Sequence, residues 1–113
     1  DLKLYQAVLE KSKQWGNENN LMYVVGGTKT EYLKKVREIV PEHFLLVPGL
    51  GAQGGDLDEI CEFGMNSNCG LLVNSSRKIL YPENGIEVAE NAAHQAESIQ
   101  IEMENHLNKA GII

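Results

Sequence analysis

Apolar positions along this chain switch between two spacings. Leu4, Tyr5, Val8, Leu9 and Trp15 recur near helical period and predict an amphipathic helix ended by Gly16-Asn17. Residues 21–25 are a short apolar run, the pattern of a strand buried on both faces. Tyr32, Leu33, Val36, Ile39 and Val40 return to helical period. They follow Thr28-Lys29-Thr30-Glu31, which has the form of a capping box. Pro41 stops that helix because it has no N–H to donate. Residues 44–47 form a second apolar run. Asp56-Leu57-Asp58-Glu59 opens a short helix with Leu57, Ile60, Cys61 and Phe63 inward, and Gly64 is placed to cap its end. A turn over residues 65–69 leads to a third strand at 70–74. Asn84-Gly85-Ile86-Glu87 introduces a long last helix with an inward stripe of Ile86, Ala89, Ala93, Ala96, Ile99, Met103 and Leu107, ended by Gly111.

The order is a helix followed by three strand–helix units. Strands alternating with helices imply a parallel sheet with right-handed crossovers. Three parallel strands cannot close a barrel, so both sheet edges stay open. The 113 residues suffice for one domain at most, and no low-complexity linker or second domain is visible.

Two strand ends carry candidate chemistry. Residues 44–55 read Phe-Leu-Leu-Val-Pro-Gly-Leu-Gly-Ala-Gln-Gly-Gly, and Gln53 is the single polar side chain in that loop. Glycine lets main chain approach a ligand closely, and N–H groups at a helix start point at negative charge. The third strand runs into Ser75-Ser76-Arg77. Arg77 is one of two arginines in the chain. Its guanidinium can grip two phosphate oxygens at once, which lysine cannot. Taken alone, each feature also has a plainer reading. The glycines make a tight connection, Arg77 a surface ion pair, and Gln53 a solvated loop residue.

Together, Pro48-Gly49-Leu50-Gly51-Ala52-Gln53-Gly54-Gly55-Asp56, Ser75-Ser76-Arg77-Lys78-Ile79-Leu80-Tyr81 and Val24-Val25-Gly26-Gly27-Thr28 resemble the orotidine 5'-phosphate decarboxylase family in its C-terminal part. The resemblance covers nearly the whole chain. It implies an α/β fold, the C-terminal part of a (β/α)8 TIM barrel, with the three strands as strands six, seven and eight. Residues 1–113 would be a single partial domain, about half of a barrel that needs about 200–250 residues. It implies a substrate-binding set of Pro48, Gly49, Gln53, Gly54, Ser76 and Arg77. Gln53 would reach both the phosphate and the pyrimidine side, and Pro48-Gly49 would line the base. The implied reaction converts orotidine 5'-monophosphate to UMP in pyrimidine biosynthesis, with no cofactor. The family's catalytic cluster alternates Lys and Asp in an Asp-x-Lys-x-x-Asp type of motif, and its lysine protonates the developing C6 carbanion. Here the only aspartates are Asp1, Asp56 and Asp58, and the run from Asp1 fails the motif at its last aspartate. No catalytic residue is therefore assigned, and the chain alone is expected to be inactive. Its start at Asp1, with no Met, reads as a cut. The alternatives are another phosphate-binding barrel lyase or isomerase, or a catalytically silent fragment that self-associates.

The net charge of −6 argues against nucleic acid or an anionic membrane as partner. A phosphorylated ligand must then be held by a local site. No apolar run is long enough to span a membrane, no leader is visible, and a cytoplasmic location is expected. Cys61 and Cys69 read as reduced structural thiols, and no metal site is expected. His43, His94 and His106 read as surface histidines, Lys29 and Lys78 as solvated, and Glu97, Glu102 and Glu104 as the acidic outer face of the last helix. Uncovered apolar sheet faces point to a homodimer.

Overall fold

A computed structural model describes residues 1–50, 56–80 and 88–113. The elements run α1 (Leu4–Ser12), β1 (Tyr23–Val24), α2 (Thr30–Ile39), β2 (Leu45–Val47), α3 (Leu57–Gly64), β3 (Leu71–Val73), α4 (Ser76–Leu80) and α5 (Val88–Lys109). The strands form one parallel sheet in the order β1-β2-β3. The three strands are shorter than the apolar runs predicted, but each sits inside its run. The five-residue α4 was not anticipated.

The sheet register separates two faces. Tyr23, Leu45 and Leu71 are aligned across the strands, as are Val24, Leu46 and Leu72. Leu45 and Leu71 are buried against Leu33, Val36 and Val40 of the α2 segment and Leu57, Ile60 and Cys61 of α3. Val24 and Leu72 on the other face are 70% and 49% exposed. The expectation of strands covered on both faces therefore holds for one face only. Helices α2 and α3 cover that face, and no described element covers the other.

Several local expectations are corrected. The capping box at Thr28 does not form: α2 starts at Thr30 with Lys29 as its N-cap. Gly27 still donates to the Pro48 carbonyl at 3.1 Å, so the strand-end turn continues past it. The Thr30 hydroxyl instead donates to Glu59 Oε2 at 2.6 Å, joining α2 to α3. Gly64 is the last helical residue of α3 rather than a left-handed cap. A Cβ there would lie 2.9 Å from Leu33 Cδ2 and from Leu71 Cδ2, so its role is close packing. Leu4, Val8 and Trp15 do not face a core but are exposed. On α5, Ala89, Ala93 and Ala96 point outward, and Ala92, Gln95, Ile99, Met103 and Leu107 make the half-buried stripe. The proposed cap at residues 84–87, with Ile86, lies outside the described residues.

Other expectations hold. Asp56 caps α3, its Oδ1 accepting from the Asp58 N–H at 2.8 Å. Gly111 ends α5 at φ +72°, and Ile112 N–H reaches back to the Leu107 carbonyl at 2.9 Å, which is the Schellman arrangement.

His43 is not a surface residue. It is 7% exposed, its ring tilts against Tyr23 at 5.4 Å between centroids, and neither ring nitrogen has a hydrogen-bond partner among the described residues. The residue lies just before β2, and its carbonyl accepts from Arg37 Nη1 at 2.6 Å. His106 is half-buried, with Nε2 2.7 Å from Asp58 Oδ1, and so links α5 to α3.

Candidate phosphate site at the strand ends

All three strands end on the same side of the sheet, and their exits are tied together. Gly27 after β1 donates to Pro48 after β2. Asn74 after β3 donates to Val47 of β2 at 3.1 Å, and Leu50 N–H reaches the Asn74 carbonyl at 3.4 Å. Ser75 Oγ donates to the Leu50 carbonyl at 2.6 Å. Main-chain and side-chain bonds thus hold the exits of β2 and β3 side by side.

Pro48 is half-buried at the end of β2, and Gly49 is exposed at φ +90°, a conformation that a side chain would strain. Ser76 and Arg77 open α4 and are exposed. Asn74 Nδ2 donates to Ser76 Oγ at 3.3 Å. Of the residues predicted to bind substrate, Pro48, Gly49, Ser76 and Arg77 therefore come to adjacent strand ends. Gln53 and Gly54 lie outside the described residues.

The start of α3 is less suited to an anion than its sequence suggested. Asp56 already occupies an N–H of the first turn, and Asp58 and Glu59 follow it. Carboxylates there complement the helix dipole themselves and repel a phosphate.

The two arginines divide between the ends of the sheet. Arg37 lies at the opposite end from Arg77 and donates to the carbonyls of Gly64, Val40, Pro41, His43 and Gly70. Burial lowers its pKa from the ordinary arginine value, with Glu42 and then Cys69 acting in the other direction. It is a structural staple. Among the described residues no group of three or more His, Cys, Asp or Glu side chains could hold a metal ion. Nor is any described helix long and apolar enough to cross a membrane.

No protein-family model matches the chain. Orotidine 5'-phosphate decarboxylase of Christiangramia forsetii is 56% identical over 109 residues, which are 96% of this chain and 40% of that protein. The Flavobacterium johnsoniae enzyme of the same name is 57% identical over 101 residues, 89% of this chain and 37% of that protein. The match falls in the C-terminal part of these proteins. Among solved structures, the OMP decarboxylase of Leishmania donovani superposes with a TM-score of 0.70 at 30% identity, over 91% of this chain and 40% of that one. The chain thus spans about 40% of the length of the curated relatives it matches.

The decarboxylase likeness accounts for the open sheet. The described sheet is part of a barrel, and its uncovered face, with Val24, Leu46 and Leu72, is the face a closed barrel would turn inward. One residue at the strand ends escaped the sequence reading: Ser75, buried between the exposed Asn74 and Ser76. A run of two serines gives no signal as to which one turns inward.

Proposed function

We propose that this chain is the nucleotide- and phosphate-binding portion of a cytoplasmic orotidine 5'-phosphate decarboxylase, which converts orotidine 5'-monophosphate to UMP and carbon dioxide in pyrimidine biosynthesis. Residues 1–113 would form one partial domain of that enzyme, and the enzyme would act as a homodimer without a cofactor. The observation that carries this reading is the juxtaposition of Pro48-Gly49 and Ser76-Arg77 at the tied exits of β2 and β3. A phosphate site at the ends of the last two strands suits a (β/α)8 barrel.

Arg77 grips the phosphate dianion with its planar fork. Ser76 adds a donor beside it, and Gln53 and Gly54 are the further expected substrate contacts. Pro48 and Gly49 present a flat, half-apolar edge to the pyrimidine. The chain lacks the alternating Lys and Asp cluster, so by itself it is catalytically silent. Its part in catalysis is binding energy at a non-reacting group, which lowers the barrier when it is realised in the transition state.

The test is titration of the complete enzyme carrying this segment with UMP and with uridine. Arg77→Ala should cost about 2–4 kcal/mol toward UMP, the range for truncating one partner of a charge-assisted pair, and little toward uridine. Gln53→Ala should cost less, about 0.5–1.5 kcal/mol, because a neutral amide bond is weaker. Equal losses for both ligands on Arg77→Ala would make Arg77 structural and sink the site assignment.

A further inference from the structure

We propose that Ser75 is a positioning residue for phosphate binding: its hydroxyl, bonded to the Leu50 carbonyl, fixes the arginine-bearing exit of β3 against the exit of β2. The inference rests on the phosphate reading of this site and adds a residue to it.

Ser75 is 1% exposed, whereas its neighbours Asn74, Ser76 and Arg77 are exposed. A hydroxyl taken out of water is unfavourable unless it is bonded. Here the bond is short, 2.6 Å, and spans 25 residues of sequence from one strand-end loop to the next. The hydroxyl already donates to Leu50 and lies in the interior, so it is not itself a ligand group.

Its influence runs through its neighbours in the chain. Arg77 is two residues beyond Ser75, and Gly49 is one before Leu50. A residue spans at most about 3.6 Å, so Arg77 Cα stays within about 7 Å of the tie. The main-chain bond beside it, from Leu50 N–H to the Asn74 carbonyl, is long at 3.4 Å. With the Asn74 N–H to Val47 carbonyl bond at 3.1 Å, the serine bond is the shortest of the three named ties between these exits. A shift of about 1 Å in a binding group is enough to change its effect by orders of magnitude.

The experiment uses the complete enzyme with Ser75→Ala, Ser75→Thr, Arg77→Ala and the Ser75→Ala/Arg77→Ala double variant. The readouts are dissociation constants for UMP and uridine, KM and kcat on orotidine 5'-monophosphate, and melting temperature. Ser75→Ala should weaken UMP about tenfold, as expected for losing about 1.4 kcal/mol, and should leave uridine within about twofold. Threonine keeps a β-hydroxyl and should restore most of the loss. In the Arg77→Ala background Ser75→Ala should add little, because a residue acting through Arg77 has nothing left to position. That cycle decides the matter even if the threonine variant folds poorly. The inference is overturned if Ser75→Ala weakens UMP and uridine alike, or if the two substitutions add independently. If Arg77→Ala discriminates UMP from uridine but Ser75→Ala does not, the tie alone fails. If Arg77→Ala shows no discrimination, the phosphate reading fails with it.

Discussion

Arg37 Nε donates to the Gly64 carbonyl at 2.7 Å, and this bond joins the end of α3 to the last turn of α2. The same guanidinium reaches the Gly70 carbonyl at 3.0 Å, just before β3, and the His43 carbonyl at 2.6 Å, just before β2. One side chain thus bonds carbonyls at both ends of the α3–β3 connection and the carbonyl just before β2, and the Gly70 carbonyl also accepts from the Leu45 N–H at 2.9 Å. Arg37→Ala should destabilise the fold by about 2–4 kcal/mol, since stranding buried acceptors costs about 1–3 kcal/mol each and some regain water. Arg37→Lys should recover little, because an ammonium lacks the planar fork. Denaturant melts of both variants check this, and a lysine variant as stable as wild type would contradict it.

Gly64 packs where no Cβ fits. Leu33, fully buried, and Leu71 would both stand 2.9 Å from it, with Leu33 Cγ at 3.2 Å. Alanine is normally the better helix former by about 1 kcal/mol. Here Gly64→Ala should reverse that preference and destabilise by about 1–3 kcal/mol through overpacking. A neutral or stabilising result in a thermal melt would show that Leu33 has room to move.

The sequence made the helix–strand order, the parallel sheet and the barrel likeness legible because each rests on period or on a run of glycines. It was less informative where two residues of one type differ only by context. Arg37 and Arg77 are indistinguishable in composition, yet Arg37 fills a cage of carbonyls and Arg77 is exposed at the candidate site. Ser75 and Ser76 are adjacent, yet only Ser75 turns inward. In α5 the expected stripe holds at Ile99, Met103 and Leu107, but Ala93 and Ala96 are exposed and Ala92 and Gln95 are half-buried instead, because small residues carry little phase information. His43 was misplaced for a similar reason: a polar ring before a strand is usually solvated, yet this one packs against Tyr23.

Cys61 is buried, with its Sγ 3.4 Å from Met103 Sδ. Burial, then Cys69, Asp58 and Glu102, push its thiol pKa up to about 12. The unfolded thiol titrates near about 8.5. Between those values the unfolded chain gives up the proton and the folded chain keeps it, so stability should be full below about pH 8.5 and fall as pH rises toward 12. In native protein at pH 8, iodoacetamide should modify Cys61 far more slowly than in urea, because the thiolate is the reacting species. Mass spectrometry of the labelled peptides checks this, and equal rates in the two conditions would refute the burial argument.

The uncovered side of the sheet yields the last prediction. Val24 and Leu72 are exposed on one face, and Met22, Leu4 and Val8 are exposed beside the β1 edge. Leu4, Tyr5, Val8 and Val24 line one groove with Lys29 and Tyr32. Contiguous apolar surface beyond a few hundred Å2 is rare on soluble monomers. Each outer strand, β1 and β3, also has an edge that no other described strand pairs. In the isolated 113-residue chain a second copy can cover both, the β3 edge of one copy meeting the β1 edge of the other. The chain should therefore run as a dimer or larger species in light scattering at micromolar concentration. Val24→Lys together with Leu72→Lys should shift it toward monomer, since two charges would have to be buried in the contact. A compact, soluble monomer in the unmodified chain would show that the open face is tolerated, and the association argument would fall.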